Sequence, residues 1–155
     1  MQKIPALSAK RQRVVEPKTT HFSLPGLLSG QQKLALNPST RTLSLLSDGP
    51  ELLHEQQFSL NELRVLTPIL EVFPQCCPYE VLLAYISSNT VTTASIARCH
   101  ERLQEAREDG RWHQELRPIR RALSSLRTKL HPFHLEISNV RERGCSLTSL
   151  QTHTV

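Results

Sequence analysis

No stretch of this 155-residue chain approaches the roughly 18 consecutive apolar residues of a membrane span. The N-terminus is basic but lacks the apolar core of a secretory signal, so a cytoplasmic protein with no membrane partner is expected. Its four cysteines, Cys76, Cys77, Cys99 and Cys145, show no CxxC spacing, and two are adjacent. That is poor geometry for a disulfide framework, and reduced, partly buried thiols are expected. The Cys99–His100 pair with a remote His113 is too sparse for a zinc site, so no metal is assigned. There is no GxSxG elbow, P-loop, HExxH or glycine fingerprint, and the scattered His, Ser and Asp residues have no spacing that sets a nucleophile beside a base. The sequence therefore predicts a protein that is not an enzyme, with no catalytic residues and no cofactor.

Charge is present in excess. The formal net charge is +5 and the pI about 9.3. Most of that excess lies in the first thirty residues, where Lys3, Lys10, Arg11, Arg13 and Lys18 face Glu16 alone. Residues 1–30 also lack apolar periodicity, which predicts a basic, disordered N-terminal arm, although LPGLLSG (24–30) can dock locally. The length suits one domain beyond that arm, placed at 31–149, with 150–155 as a C-terminal tail. A basic pI is compatible with nucleic-acid binding but equally with a solvated tail.

Past Lys33 the pattern becomes short alternating pieces, LALN (34–37), RTLSLL (41–46) and ELLHEQQF (51–58), separated by turns at Pro38–Ser39 and SDGP (47–50). This predicts a small antiparallel sheet. Ser59 with Glu62 three residues later is a capping box, and Leu60, Leu63, Leu66, Ile69, Leu70 and Phe73 trace a helical stripe over 60–73. Pro68 inside that stripe predicts a kink. Pro78 suits a first helical position for a second helix through 79–88, closed by Asn89. A third helix is predicted at about 93–109, with Thr93 as its cap, Ile96, Cys99, Leu103 and Ala106 buried, and Gly110 as its stop. Its alternating charges read as a solvated face laced with local ion pairs, and Trp112 as an anchor to the core.

The last third carries the strongest signal. In RPIRRALSSLRTKL (117–130) Ile119, Leu123, Leu126 and Leu130 form one buried stripe, leaving Arg117, Arg120, Arg121, Ser124, Arg127 and Thr128 outward. Pro118 is tolerated in the first turn. LEISNVRERGCSLTSL (135–150) reads as a β-hairpin with Arg141 and Arg143 at its tip beside Gly144. A basic helix followed by a basic hairpin suits a polyanion.

In this order, sheet, helices and hairpin resemble the OmpR/PhoB-type winged-helix DNA-binding domain of bacterial response regulators. That family's xLTxxExxLLxxL pattern is matched by FSLNELRVLTPIL (58–70), RTVDVHIxRLRxKL by RPIRRALSSLRTKL, and IxTVRGxGYxL by ISNVRERGCSL (137–147). The resemblance covers about 31–149 and implies an α+β winged helix-turn-helix: an N-terminal antiparallel sheet, a helical core and a C-terminal hairpin wing. Three departures stand out. Glu142 occupies the place of the first hairpin glycine, Cys145 that of the usual aromatic, and the 93–109 helix is an insertion. No receiver domain is expected before the module, and so no control by aspartyl phosphorylation within the chain.

By this resemblance the chain is expected to be a transcription regulator, nucleoid-associated, that binds double-stranded DNA sequence-specifically. Helix 117–130 would enter the major groove and wing 135–148 would lie on the backbone. Arg120, Arg121, Ser124 and Thr128 are assigned to base edges. Arg117, Arg127, Arg141 and Arg143 are assigned to phosphates, and Lys129 is ambiguous. The inserted helix offers a surface for RNA polymerase or another regulator, and a homodimer can form on DNA. The alternative is a degenerate winged helix acting as a protein–protein interaction module in a regulatory complex. What separates the two is whether the arginines form one positive face or are neutralised by Glu101, Glu105 and Glu142.

Overall fold

A computed structural model describes residues 19–49 and 51–150 of the chain. These residues form an α+β fold of five α-helices and two antiparallel sheets. The first sheet runs in chain order through β1 (Thr20–Phe22), β2 (Lys33–Asn37), β3 (Thr42–Leu46) and β4 (Leu52–Gln57). Strict alternation sends Leu43 and Leu45 of β3 into the core and Ser44 outward, the period-2 pattern of a sheet with one wet face. The strand β1 corrects the expected arm. Thr20, His21 and Phe22 pair with Leu36, Ala35 and Leu34, and Leu24 is buried in the core. The folded unit therefore starts by residue 20 and not at 31, while the arm's basic residues up to Lys18 lie outside the described residues. A three-residue edge strand with one half-buried side chain has too little apolar alternation to be legible in advance.

Helix α1 (Leu60–Val72) begins at the expected capping box. The Ser59 hydroxyl accepts from the Glu62 amide at 3.2 Å, and the Glu62 carboxylate accepts from the Ser59 amide at 2.8 Å. The helix continues through the buried Pro68. Next come β5 (Cys77–Pro78), which was not anticipated, and α2 (Tyr79–Ser87), for which Pro78 is the cap and not the first helical residue. Helix α3 (Thr93–Asp109) is capped one residue earlier than expected, by a reciprocal Thr92–Ser95 box. It stops at Gly110, whose φ of +75° is the left-handed conformation that ends helices cheaply only for glycine. A single turn, α4 (Trp112–Glu115), leads directly into α5 (Arg117–Leu130).

The chain closes with a hairpin, β6 (Leu135–Val140) and β7 (Gly144–Ser149), and β5 joins it to give the order β5-β7-β6. Gly144 is dictated by that third strand, since a Cβ there would lie 1.9 Å from the Cys77 carbonyl oxygen. One core spans the described residues, joining Leu43 and Leu45 of the first sheet to Leu66 and Ile69 of α1, Leu82 of α2, Leu126 and Leu130 of α5, and Ile137 and Leu147 of the hairpin. Each such side chain contributes roughly 1.5–3 kcal/mol on burial.

The four cysteines are free, three of them buried. Cys77 and Cys145 face each other across β5 and β7. Burial pushes their thiols up to about 12 and about 11, so both stay protonated and inert. Among the described residues no helix is long and apolar enough to cross a membrane, and no group of three His, Cys, Asp or Glu is placed to hold a metal ion.

Candidate nucleic-acid interface

Helix α5 is the base of the site. Ile119, Leu123, Leu126 and Leu130, with Ala122, are all buried, packing the helix against α1 and β6. At about 100° per residue, that stripe turns Arg117, Arg121, Ser124 and Thr128 directly away from the core. All four are exposed. Arg120 and Arg127 fall on the flank toward the hairpin, while Ser125 falls on the flank toward α1. There Arg117, Arg121 and Ser125 line a hollow with Ser59, Asn61 and Glu62. On the hairpin flank Arg120 shares a second hollow with Arg141 of the β6–β7 turn.

Of the eight residues assigned to DNA, seven are therefore exposed, and Arg127 stands apart. It is half-buried. Its Nε donates to the Ile137 carbonyl at 3.0 Å, and one of its terminal nitrogens donates to Asn139 Oδ1 at 3.1 Å. Arg127 thus ties α5 to β6 from within. A flank arginine looks the same in sequence whether its donors meet water or a strand carbonyl, and only the placement of β6 distinguishes them.

Lys129, ambiguous in sequence, is also turned inward. Its Nζ donates to Glu62 Oε1 at 2.8 Å and to the Gln57 carbonyl at 3.2 Å, and it lies 5.5 Å from the centre of the Phe58 ring. Glu62 is only 5% exposed, and its desolvation would raise the carboxyl pKa. Hydrogen bonds from Lys129, Ser125 and the Ser59 backbone, together with the Lys129 charge, outweigh that and hold it below the usual carboxylate value. One carboxylate therefore both caps α1 and docks α5 onto it.

At the hairpin tip Arg141 and Arg143 are exposed. Between them Glu142 adopts φ +58°, the left-handed conformation that glycine holds without strain. Its carboxylate does not neutralise its neighbours but meets Arg107 of α3 at 3.3 Å. Among the described residues, Arg117, Arg120, Arg121, Arg141 and Arg143 make no ion pair. The pairs gather instead on α3 and α4: Arg102 with Glu115 at 2.7 Å, and Arg111 with Asp109 at 3.1 Å and Glu115 at 3.6 Å. Glu101 and Glu105 pair with none of the assigned arginines. The exposed arginines of α5 and the tip therefore have no ion-pair partner among the described residues: Glu62 beside Arg117 and Arg121 is taken by Lys129, and Glu142 at the tip by Arg107.

Sequence reading missed Arg107. It sits on a helix taken as a solvated face, yet its guanidinium lies 4.5 Å above the centre of the Trp112 ring, and Trp112 in turn meets Tyr79 edge to face at 6.0 Å. Its position in the last turn of α3, five residues before the tryptophan, was the one available signal. Comparisons with family models, with curated proteins and with solved structures find no match to the chain.

Proposed function

We propose that the chain is a winged-helix module of the OmpR/PhoB type that binds double-stranded DNA and regulates transcription. In it α5 is the recognition helix in the major groove, and the β6–β7 hairpin is the wing on the phosphate backbone. The observation that carries this reading is the outward face of α5, where Arg117 and Arg121 stand with Ser124 and Thr128, all exposed and, among the described residues, none paired with a carboxylate. Arg120, Arg121, Ser124 and Thr128 contact base edges, while Arg117, Arg141 and Arg143 hold phosphates. Arg127 moves from the phosphate set to a supporting role, fixing the angle between helix and wing.

A second reading has its own support. Leu52, Leu53 and Leu60 are 51%, 44% and 49% exposed, along the edge strand β4 and the start of α1, and edge strands with apolar side chains invite partners. A protein–protein interaction module in a regulatory complex would use that edge together with the carboxylates of α3.

Fluorescence anisotropy with a mixed duplex pool at several salt concentrations tests the choice, with the native chain set against an Arg120→Ala/Arg121→Ala/Ser124→Ala variant of verified folding. Steeply salt-dependent binding that the variant loses is the expected result. Absence of binding by the native chain at low salt would transfer the assignment to the protein-interaction module.

A further inference from the structure

Between the end of α3, α4, α5 and the wing lies an open hollow of about 420 Å³, lined by Arg107, Arg120, Arg141, Trp112, Asn139 and Glu142 among others. Its three arginines come from three separate parts of the chain: the inserted helix, the flank of the recognition helix and the wing turn. Like charges converging on one hollow repel each other and need a counter-charge. The one carboxylate there, Glu142, offsets a single guanidinium by pairing with Arg107, leaving an excess of positive charge facing solvent. Arg107 is held on both sides, by Glu142 at 3.3 Å and by the face of Trp112 at 4.5 Å, so little rotamer freedom remains to be lost when it binds. Asn139 adds a neutral donor. Its Oδ1 already accepts from Arg127 and from the Cys145 thiol, while its amide nitrogen has no partner among the described residues.

We propose that this hollow binds a phosphodiester group of the DNA backbone, and that the inserted helix thereby contributes a contact, through Arg107, to the nucleic-acid interface. The inference rests on the DNA-binding reading above. It places a phosphate between recognition helix and wing, with Arg107, Arg120 and Arg141 around it and Asn139 as a further donor. It also gives the insertion a part in DNA binding that its alternating charges conceal, and makes Glu142 an opposing charge at the rim.

Trp112 is the only tryptophan in the chain, so its emission reports on the hollow directly. The full chain is titrated with a labelled duplex pool, following duplex anisotropy and Trp112 emission together, and separately with inorganic phosphate. The same titrations are run on Arg107→Gln, Arg107→Lys and Glu142→Gln, each checked by circular dichroism and thermal melting. The expected result is a change in Trp112 emission that saturates with the anisotropy signal. Arg107→Gln should weaken binding roughly five- to tenfold at 0.1 M salt and lower the salt slope by about 1, and Arg107→Lys should keep most of that slope. Glu142→Gln should tighten binding, whereas a purely structural Arg107–Glu142 brace would make it weaker.

Duplex binding with unchanged Trp112 emission and an unaltered slope in Arg107→Gln overturns the inference and leaves the DNA-binding reading standing. Emission that responds to inorganic phosphate but not to duplex overturns the backbone assignment in favour of a free anion. No duplex binding at all overturns both.

Discussion

The two longest helices among the described residues, α3 and α5, are both arginine-bearing, and they deploy charge in opposite ways. In α3, Arg98, Arg102 and Arg107 are interleaved with Glu101, Glu105, Glu108 and Asp109; Arg102 and Arg107 pair with Glu115 and Glu142. In α5 there is no carboxylate along the whole of RPIRRALSSLRTKL, and its exposed arginines have no ion pair among the described residues. Among the described residues the expected local pairs within α3 do not form, since both paired arginines reach carboxylates outside the helix; the mixed charge of its exposed side still avoids a field of one sign. A face of one sign raises self-repulsion and is compensated when a polyanion binds. The contrast locates the proposed function on α5, and Arg107, at the end of α3 nearest the wing, is where the two surfaces meet.

The comparison can be broken at its base by removing what seats α5. Leu126→Ala, at a fully buried position, is expected to cost about 2–5 kcal/mol in chemical denaturation, whereas Arg98→Ala on the exposed face of α3 should change stability by less than about 0.5 kcal/mol. Next in size is Arg127→Ala, which leaves the Ile137 carbonyl without its side-chain donor and loosens the wing; a loss of about 1.5–3 kcal/mol is expected. Equal stability of this variant and Arg121→Ala would contradict the separation of a supporting arginine from a contacting one. Alanine at Arg117 and Arg121 together should leave the melting midpoint unchanged while lowering the salt slope of duplex binding by about 2.

The smallest effect is a pH dependence. The Glu62 carboxyl sits lower folded than unfolded, so its contribution is present above its ordinary value of 4.5 and lost as pH falls through the folded value. The stability gap between native chain and Glu62→Gln should therefore narrow from pH 6 to pH 3 in urea titrations. A gap that widened with acid would mean that burial dominates over the Lys129 bond.

Much of the architecture was legible because it is written in local patterns. The Ser59–Glu62 box, the stripe of Ile119, Leu123, Leu126 and Leu130, and the Gly110 stop each involve residues within a few positions of one another. The short strands β1 and β5 were not legible, because two or three residues carry no periodicity and exist only through partners over ten positions away in the first case and over sixty in the second. The same distinction governs the site. The outward side of α5 follows from its own stripe, but the inward turn of Arg127 and Lys129 depends on β6 and on Glu62. Arg107 drew no notice because its significance comes from Trp112, Glu142 and Arg120, which only the tertiary fold gathers.

The most direct test removes the same charge from each helix. Duplex binding is measured against salt for the native chain, for Arg117→Ala/Arg121→Ala on α5 and for Arg98→Ala/Arg102→Ala on α3, with net charge lowered equally in both variants. If position and not net charge governs binding, the α5 variant loses on the order of tenfold or more in affinity at 0.1 M salt, with a shallower slope, and the α3 variant retains the native slope. Equal losses in the two variants, or no binding by the native chain, would contradict a DNA-reading face on α5.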